Sequence, residues 1–109
     1  MVLIVATVMF PHAKSSKVAK KNIEMIKKYP PDPSFGEGIA LGVKSTLKGM
    51  QVLSVAEIKK GKVEDYMSRM ATQYQEYALE IDGFKYQIET YFSVAEAYKI
   101  LGMEPPPEE

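Results

Sequence analysis

Residues 2 to 10 read VLIVATVMF, a run rich in β-branched side chains in which only Thr7 is polar. Successive side chains of a strand point to opposite faces, so a strand that is apolar at nearly every position requires cover on both. The chain has 109 residues with which to supply it, one domain by size. Its 46% apolar and 26% charged content is that of an ordinary globular protein, neither disordered nor coiled coil.

Composition removes several functions. Lys plus Arg and Asp plus Glu are both 14, so the formal net charge is zero and no overall field draws the chain to nucleic acid or anionic membranes. With no cysteine there is no disulfide framework, no thiolate nucleophile and no Cys-containing metal site, and a reducing cytoplasm is the expected location. The apolar start does not read as a signal peptide, because no basic segment precedes it and it runs into Pro11 and His12. It is also far shorter than the roughly 20 residues that cross a bilayer. A single Asn (Asn22) with abundant Lys and Glu leans toward a thermophilic source, and seven Met lean the other way.

Beyond strand 1, Ser15 or Ser16 is placed to cap a helix in which Val18, Ala19, Asn22, Ile23, Met25, Ile26 and Tyr29 recur at helical spacing. Pro30 and Pro31 end it, and PPDPSFGEG is a loop on composition. IALGVKSTL and MQVLSVAEI alternate like strands and predict a hairpin joined at Lys48-Gly49. A second helix is expected over about 62–80, where Val63, Tyr66, Met67, Met70, Tyr74, Tyr77 and Ile81 recur at three and four residues. Glu64 and Asp65 suit its positive first turn. Asp82-Gly83 turns the chain into FKYQIETYF, a fourth strand. SVAE is a capping box with Ser93 at the N-cap and Glu96 at N3, opening a short helix that Gly102 closes.

The order β-α-β-β-α-β plus a terminal helix predicts an α+β, ferredoxin-like sandwich over residues 1–102, with a Pro/Glu-rich tail at 103–109. Right-handed crossovers place both long helices on one side of an antiparallel sheet ordered 4-1-3-2. Pairing Leu47 with Met50 assigns Ile39, Leu41, Val43, Leu47, Met50, Val52, Ala56 and Ile58 to the helix side, joined by Phe84, Tyr86 and Ile88 of strand 4. The helix-free face then receives Ala40, Gly42, Lys44, Thr46, Gln51, Leu53, Val55 and Glu57 from the hairpin, and Lys85, Gln87, Glu89 and Tyr91 from strand 4. Strand 1 adds either Leu3, Val5, Thr7 and Met9 or the equally apolar Val2, Ile4, Ala6, Val8 and Phe10.

An apolar centre with polar edges is the pattern of a buried interface. Four strands make a face of roughly 400 Å² even when flattened, and burying it is worth on the order of 10 kcal/mol gross. The short terminal helix is too small to blanket four strands. Two copies stacked sheet on sheet are therefore expected.

With this element order, the doubly apolar VLIVATVMF and the apolar-centred open face, residues 1–102 resemble the dimeric α+β barrel superfamily, whose ferredoxin-like subunits pack open sheet to open sheet. The resemblance implies a homodimer, and relatives that include small monooxygenases, haem-degrading enzymes, lactone isomerases and effector-binding domains of transcription regulators. The haem-degrading branch is known for a Trp, an Asn and a His ligand, and this chain has no Trp. The regulators carry an N-terminal helix-turn-helix, whereas this chain begins with strand 1, which leaves a stand-alone effector-binding module open within that branch.

His12 is the only histidine, and it reads either as an acid or base at the rim of a barrel or as a loop residue leading into the first helix. One His without further ligands is no metal site, and no cofactor motif is present. Lys44, Gln51, Glu57, Gln87, Glu89 and Tyr91 share the open face, where they orient a small polar ligand or serve as solvated rim residues and intersubunit ion pairs. The second-helix tyrosines Tyr66, Tyr74 and Tyr77 fit a core better than a cleft. PSFGEG lacks the ending of a phosphate loop, and Phe35 within it either caps a pocket or sits in an ordinary surface loop.

Three functions follow as expectations. The first is a homodimeric module that binds a small molecule or a protein partner without transforming it, with no nucleic acid and no membrane involved. The second is a cofactor-independent monooxygenase or isomerase using His12 with Glu57 or Tyr91, which requires His12 or Glu57 to face an enclosed cavity of a few hundred Å³. The third is a structural subunit of a larger assembly, which predicts no cavity and a second exposed apolar patch.

Overall fold

Strand 1, β1 (Val2–Phe10), leads through a 3-10 turn into α1 (Ser15–Lys28) and then into the hairpin β2 (Gly36–Thr46) and β3 (Gly49–Ile58). The chain continues through α2 (Val63–Glu80), β4 (Lys85–Phe92) and α3 (Val94–Ile100). The computed structural model describes residues 1–107; Glu108 and Glu109, the end of the expected tail, lie outside the described residues. The four strands form one antiparallel sheet ordered β2-β3-β1-β4, the expected order read from its other edge. The architecture is α+β, consistent with the ferredoxin-like expectation. No helix among the described residues is long and apolar enough to cross a membrane.

The even residues of β1 meet the helices. Ile4, Ala6, Val8 and Phe10 are all at most 6% exposed. Two clusters lie along this side. Val8, Phe10, Met25, Tyr77, Ile81 and Phe84 form one, with Tyr77 stacked on Phe84 at 4.9 Å. Ile4, Ala6, Ala56, Ile58 and Met70 form the other, and Tyr74 packs against both. Its burial pushes the Tyr74 hydroxyl up to about 12. The second-helix apolar stripe is therefore core, as its spacing predicts.

The hairpin departs from expectation by two residues. Thr46 pairs with Gly49 and Ser45 with Met50, so the turn is Leu47-Lys48 and Leu47 is out in solvent instead of beneath the helices. The cause is the approach of β3 to β1, where a Cβ at Gly49 would sit 2.5 Å from the carbonyl oxygen of Phe10. Only glycine fits there at φ 149°, so Gly49 belongs to the ladder and not to the turn. The Thr46 hydroxyl closes the turn, donating to the Gly49 carbonyl and accepting from the amides of Lys48 and Gly49. A shift of two keeps every side chain on its face. A bulge at Gly38–Ala40 then takes Ile39 out of the pairing and leaves it exposed.

The helix termini differ in quality. Ser93 caps α3 as predicted, accepting from the Glu96 amide at 3.2 Å, and Gly102 at φ 73° ends it. Neither Ser15 nor Ser16 caps α1. The 3-10 turn His12–Lys14 comes first, and the Ser15 hydroxyl donates to the His12 carbonyl, which joins turn to helix instead. The α1 apolar set also splits. Val18, Met25 and Tyr29 pack on the core, while Ile23 and Ile26 are exposed and Lys21 is 5% exposed. The Lys21 stem lies against neighbours while its ammonium reaches Glu80 at 2.9 Å and Glu24 at 3.5 Å, contacts that raise its pKa, the Glu80 bond foremost.

Candidate functional site

The odd residues of β1 select the composition of the helix-free face. Across the sheet, its rows read Glu37, Glu57, Leu3 and Tyr91, then Ala40, Val55, Val5 and Glu89. The next rows are Gly42, Leu53, Thr7 and Gln87, then Lys44, Gln51, Met9 and Lys85. Lys44, Gln51, Glu57, Gln87, Glu89 and Tyr91 thus share one face, as the alternation predicts. They are split along it: Glu57, Glu89 and Tyr91 lie toward the start of β1, Lys44 and Gln51 toward its end. The Tyr91 hydroxyl donates to Glu89 at 3.4 Å.

No part of the described chain covers this face. Leu53 at its centre is 44% exposed. The terminal helix α3 joins neither core cluster, and its Val94 and Ile100 are themselves exposed. Charges on the face are sorted by sign, Glu37, Glu57 and Glu89 at one end against Lys44 and Lys85 at the other. Glu37 stands directly opposite Glu57, an arrangement that destabilises a strand pair in isolation. Among the described residues none of these five makes an ion pair.

His12 is not brought to Glu57 or Tyr91. Its Nε2 lies 3.1 Å from the hydroxyl oxygen of Ser45, beyond the opposite end of β1 and on the helix side of the hairpin. Leu3, which pairs with both Glu57 and Tyr91, is on the order of 25 Å of extended chain away. A shallow hollow of about 280 Å³ on the hairpin touches Lys44, Gln51, Leu53 and Gly42.

A further concavity lies on the helix side, and neither His12 nor Glu57 lines it. It is a partly enclosed cleft of about 430 Å³ beneath the α1–β2 loop. Gly36, Gly38, Ala56 and Ile58 line it on the sheet side, where the two glycines and Ala56 keep the sheet low beside the bulge. Tyr29, Phe35, Tyr66 and Arg69 form its walls. Phe35 packs against Tyr66 with ring centroids 5.7 Å apart. The Arg69 guanidinium lies 5.5 Å from the Phe35 ring and 6.0 Å from that of Tyr29, and it donates to the Pro30 carbonyl.

The loop is held open by its own bonds. The Ser34 amide donates to Asp32 at 3.0 Å, and the Lys59 amide donates to the Phe35 carbonyl at 2.8 Å. The Ser34 bonds, followed by the charges of Arg69 and Lys62, hold the Asp32 carboxyl below its ordinary range. Behind the loop, Lys28 and the Tyr29 hydroxyl both donate to Glu76 of α2, at 2.6 and 2.8 Å. Those bonds lower the Glu76 carboxyl and fix the end of α1. Burial raises the Tyr66 hydroxyl, so it is a proton donor at neutral pH.

Searched against protein-family models, curated proteins and solved structures, the chain matches none. The cleft was only half legible beforehand. Phe35 as the wall of a pocket and Tyr66 as a cleft residue were both weighed in the sequence, but Arg69 carried no signal. The usable cue is the pair Gly36 and Gly38 on one side of an edge strand, next to aromatic residues in the loop before it.

Proposed function

We propose that the protein is a homodimeric binding module in which two ferredoxin-like subunits stack open face on open face, as a dimeric α+β barrel. The observation that carries this reading is the apolar centre of the helix-free face, where Leu53 is 44% exposed and Leu3, Val5, Met9 and Val55 are half-buried and belong to neither core cluster. Shape adds to it. The radius of gyration is 15.8 Å, against about 13 Å for a compact chain of this length.

The sorted charges favour one geometry. A twofold axis between the sheets and perpendicular to the strands reverses one face over the other. Row by row, Glu37 then meets the partner's Lys44, Leu3 meets Met9, Val55 meets Leu53 and Tyr91 meets Lys85. An axis parallel to the strands keeps like ends together and sets Lys44 on the partner's Lys85. Lys44, Gln51, Glu57, Gln87, Glu89 and Tyr91 act in this reading as the polar rim that sets register and closes the ends of the interface. Sedimentation equilibrium at micromolar concentration tests it: twice the chain mass is expected, and a monomer refutes the stack.

A larger assembly built on that dimer is the second reading. Leu41, 75% exposed, and Val43 lie on the helix side of β2 beyond the reach of either long helix, and they form the second apolar patch that such an assembly requires. Species heavier than a dimer in the same sedimentation run, abolished by Leu41→Glu, support it.

A further inference from the structure

We infer that the cleft beneath the α1–β2 loop is a binding site for a planar aromatic monoanion of one or two rings, such as an aromatic carboxylate. The site lies on the opposite side of the sheet from the stacking face, so this inference stands apart from the proposed dimer.

Size, shape and charge each narrow the ligand. A volume of about 430 Å³ falls within the range of small-molecule pockets. The walls are rings. Phe35 and Tyr66 meet at 59° and make an aromatic corner against which a flat molecule rests by edge and face. The floor has room for it, because a Cβ built on Gly38 meets nothing within 4 Å. At the mouth, Arg69 spends one donor on the Pro30 carbonyl, and its approach to Asp32 is 3.8 Å, longer than a hydrogen bond. A guanidinium carries five N–H donors, so donors remain beyond the Pro30 bond and the Asp32 ion pair. Its plane is already braced by Phe35 and Tyr29, which preorganises it for a carboxylate.

The same groups disfavour other ligands. A cation finds the ring faces beside Arg69 occupied by a like charge. A dianion such as a phosphate ester meets one guanidinium whose field is offset by the two acidic residues that line the cleft, Asp32 and Glu37. The Tyr66 hydroxyl, half-buried and without a hydrogen-bond partner among the described residues, supplies a further donor for a single carboxylate oxygen or ring substituent.

The test is isothermal titration of the full chain with 2-naphthoate, and with 2-naphthamide as its uncharged counterpart. One 2-naphthoate per chain is expected, bound about tenfold or more tightly than the amide, the contribution of a charge-assisted bidentate pair. Gly38→Leu fills the floor without touching a charge, and its φ lies outside the region that glycine alone favours. It should abolish binding while the circular dichroism spectrum is unchanged. Arg69→Gln should weaken 2-naphthoate about tenfold and leave 2-naphthamide alone. Leu53→Glu, on the other side of the sheet, should bind like the parent. The inference is overturned by no saturable binding at millimolar ligand, by equal affinity for acid and amide, by undiminished binding to a folded Gly38→Leu, or by loss of binding in Leu53→Glu.

Discussion

The two faces of β1 are almost equal in apolar content and opposite in fate. Ile4, Ala6, Val8 and Phe10 are sealed beneath α1 and α2, whereas Leu3, Val5 and Met9 one residue away are only half-covered by their neighbours in the sheet. Both rows are made of the same residue types, so intrinsic preference does not distinguish them. What differs is the supply of a second layer: two amphipathic helices of 14 and 18 residues serve one side, and a seven-residue helix at the β4 edge serves neither. In the proposed stack, the chain covers one face of its central strand itself and a second copy covers the other.

Mutation separates the two faces. On the sealed side, Ile4→Ala should lower the free energy of unfolding by about 3 kcal/mol, the cost of a cavity in a filled core. Urea titrations should show that loss at every protein concentration. On the open side, Leu53→Glu should cost the fold little but raise the dimer dissociation constant at least tenfold, about 1.4 kcal/mol. Its urea midpoint should no longer depend on concentration; a midpoint that still rises with concentration breaks the comparison.

Charge sharpens the comparison further. Glu37→Lys should weaken the dimer by about 0.5 kcal/mol, and adding Lys44→Glu should restore it. Added salt should weaken the parent dimer more than the double variant weakens relative to it at low salt. If the double variant is as weak as the single one, the perpendicular twofold is wrong although the stack itself stands.

The smallest effect lies wholly on the helix side. Hydrogen bonds from Lys28 and Tyr29, with the charges of Lys28 and Lys21, depress the Glu76 carboxyl, so the folded state holds its charged form more firmly than the unfolded chain does. That stability is present above the ordinary glutamate value near pH 4.3 and is lost as pH falls through the lower folded value. Lys28 is raised by the same bond, and its share is lost only above its ordinary range. Glu76→Gln should therefore flatten the fall of the urea midpoint below about pH 4.3 and leave the neutral-pH dimer unchanged.

Element order, sheet order and the partition of residues between faces were legible in the sequence because each rests on periodicity, and a period of two survives a hairpin slip of two. The slip itself was not legible. Lys48-Gly49 has the composition of a turn, but Gly49 serves close contact with the Phe10 carbonyl, a tertiary demand that local turn chemistry does not express. Ser15 was misassigned for a related reason: the 3-10 turn at His12–Lys14 engages the serine hydroxyl before it can cap α1. Of the candidate site, the open-face residues were readable by alternation. The grouping of His12 with Glu57 or Tyr91 was not, since spacing along the chain says nothing about which end of a sheet a loop occupies. Arg69 becomes meaningful only when the loop at Pro30–Phe35 folds back on α2.

The bulge at Ile39 bears on how the molecule stays in solution. β2 is an outer strand with Leu41 and Val43 exposed, and a straight strand of that kind invites further chains to add edge to edge without limit. The extra residue puts the amides on either side of Gly38–Ala40 out of step, so an incoming ribbon cannot hydrogen-bond along the full margin. Growth into fibrils is interrupted along that border.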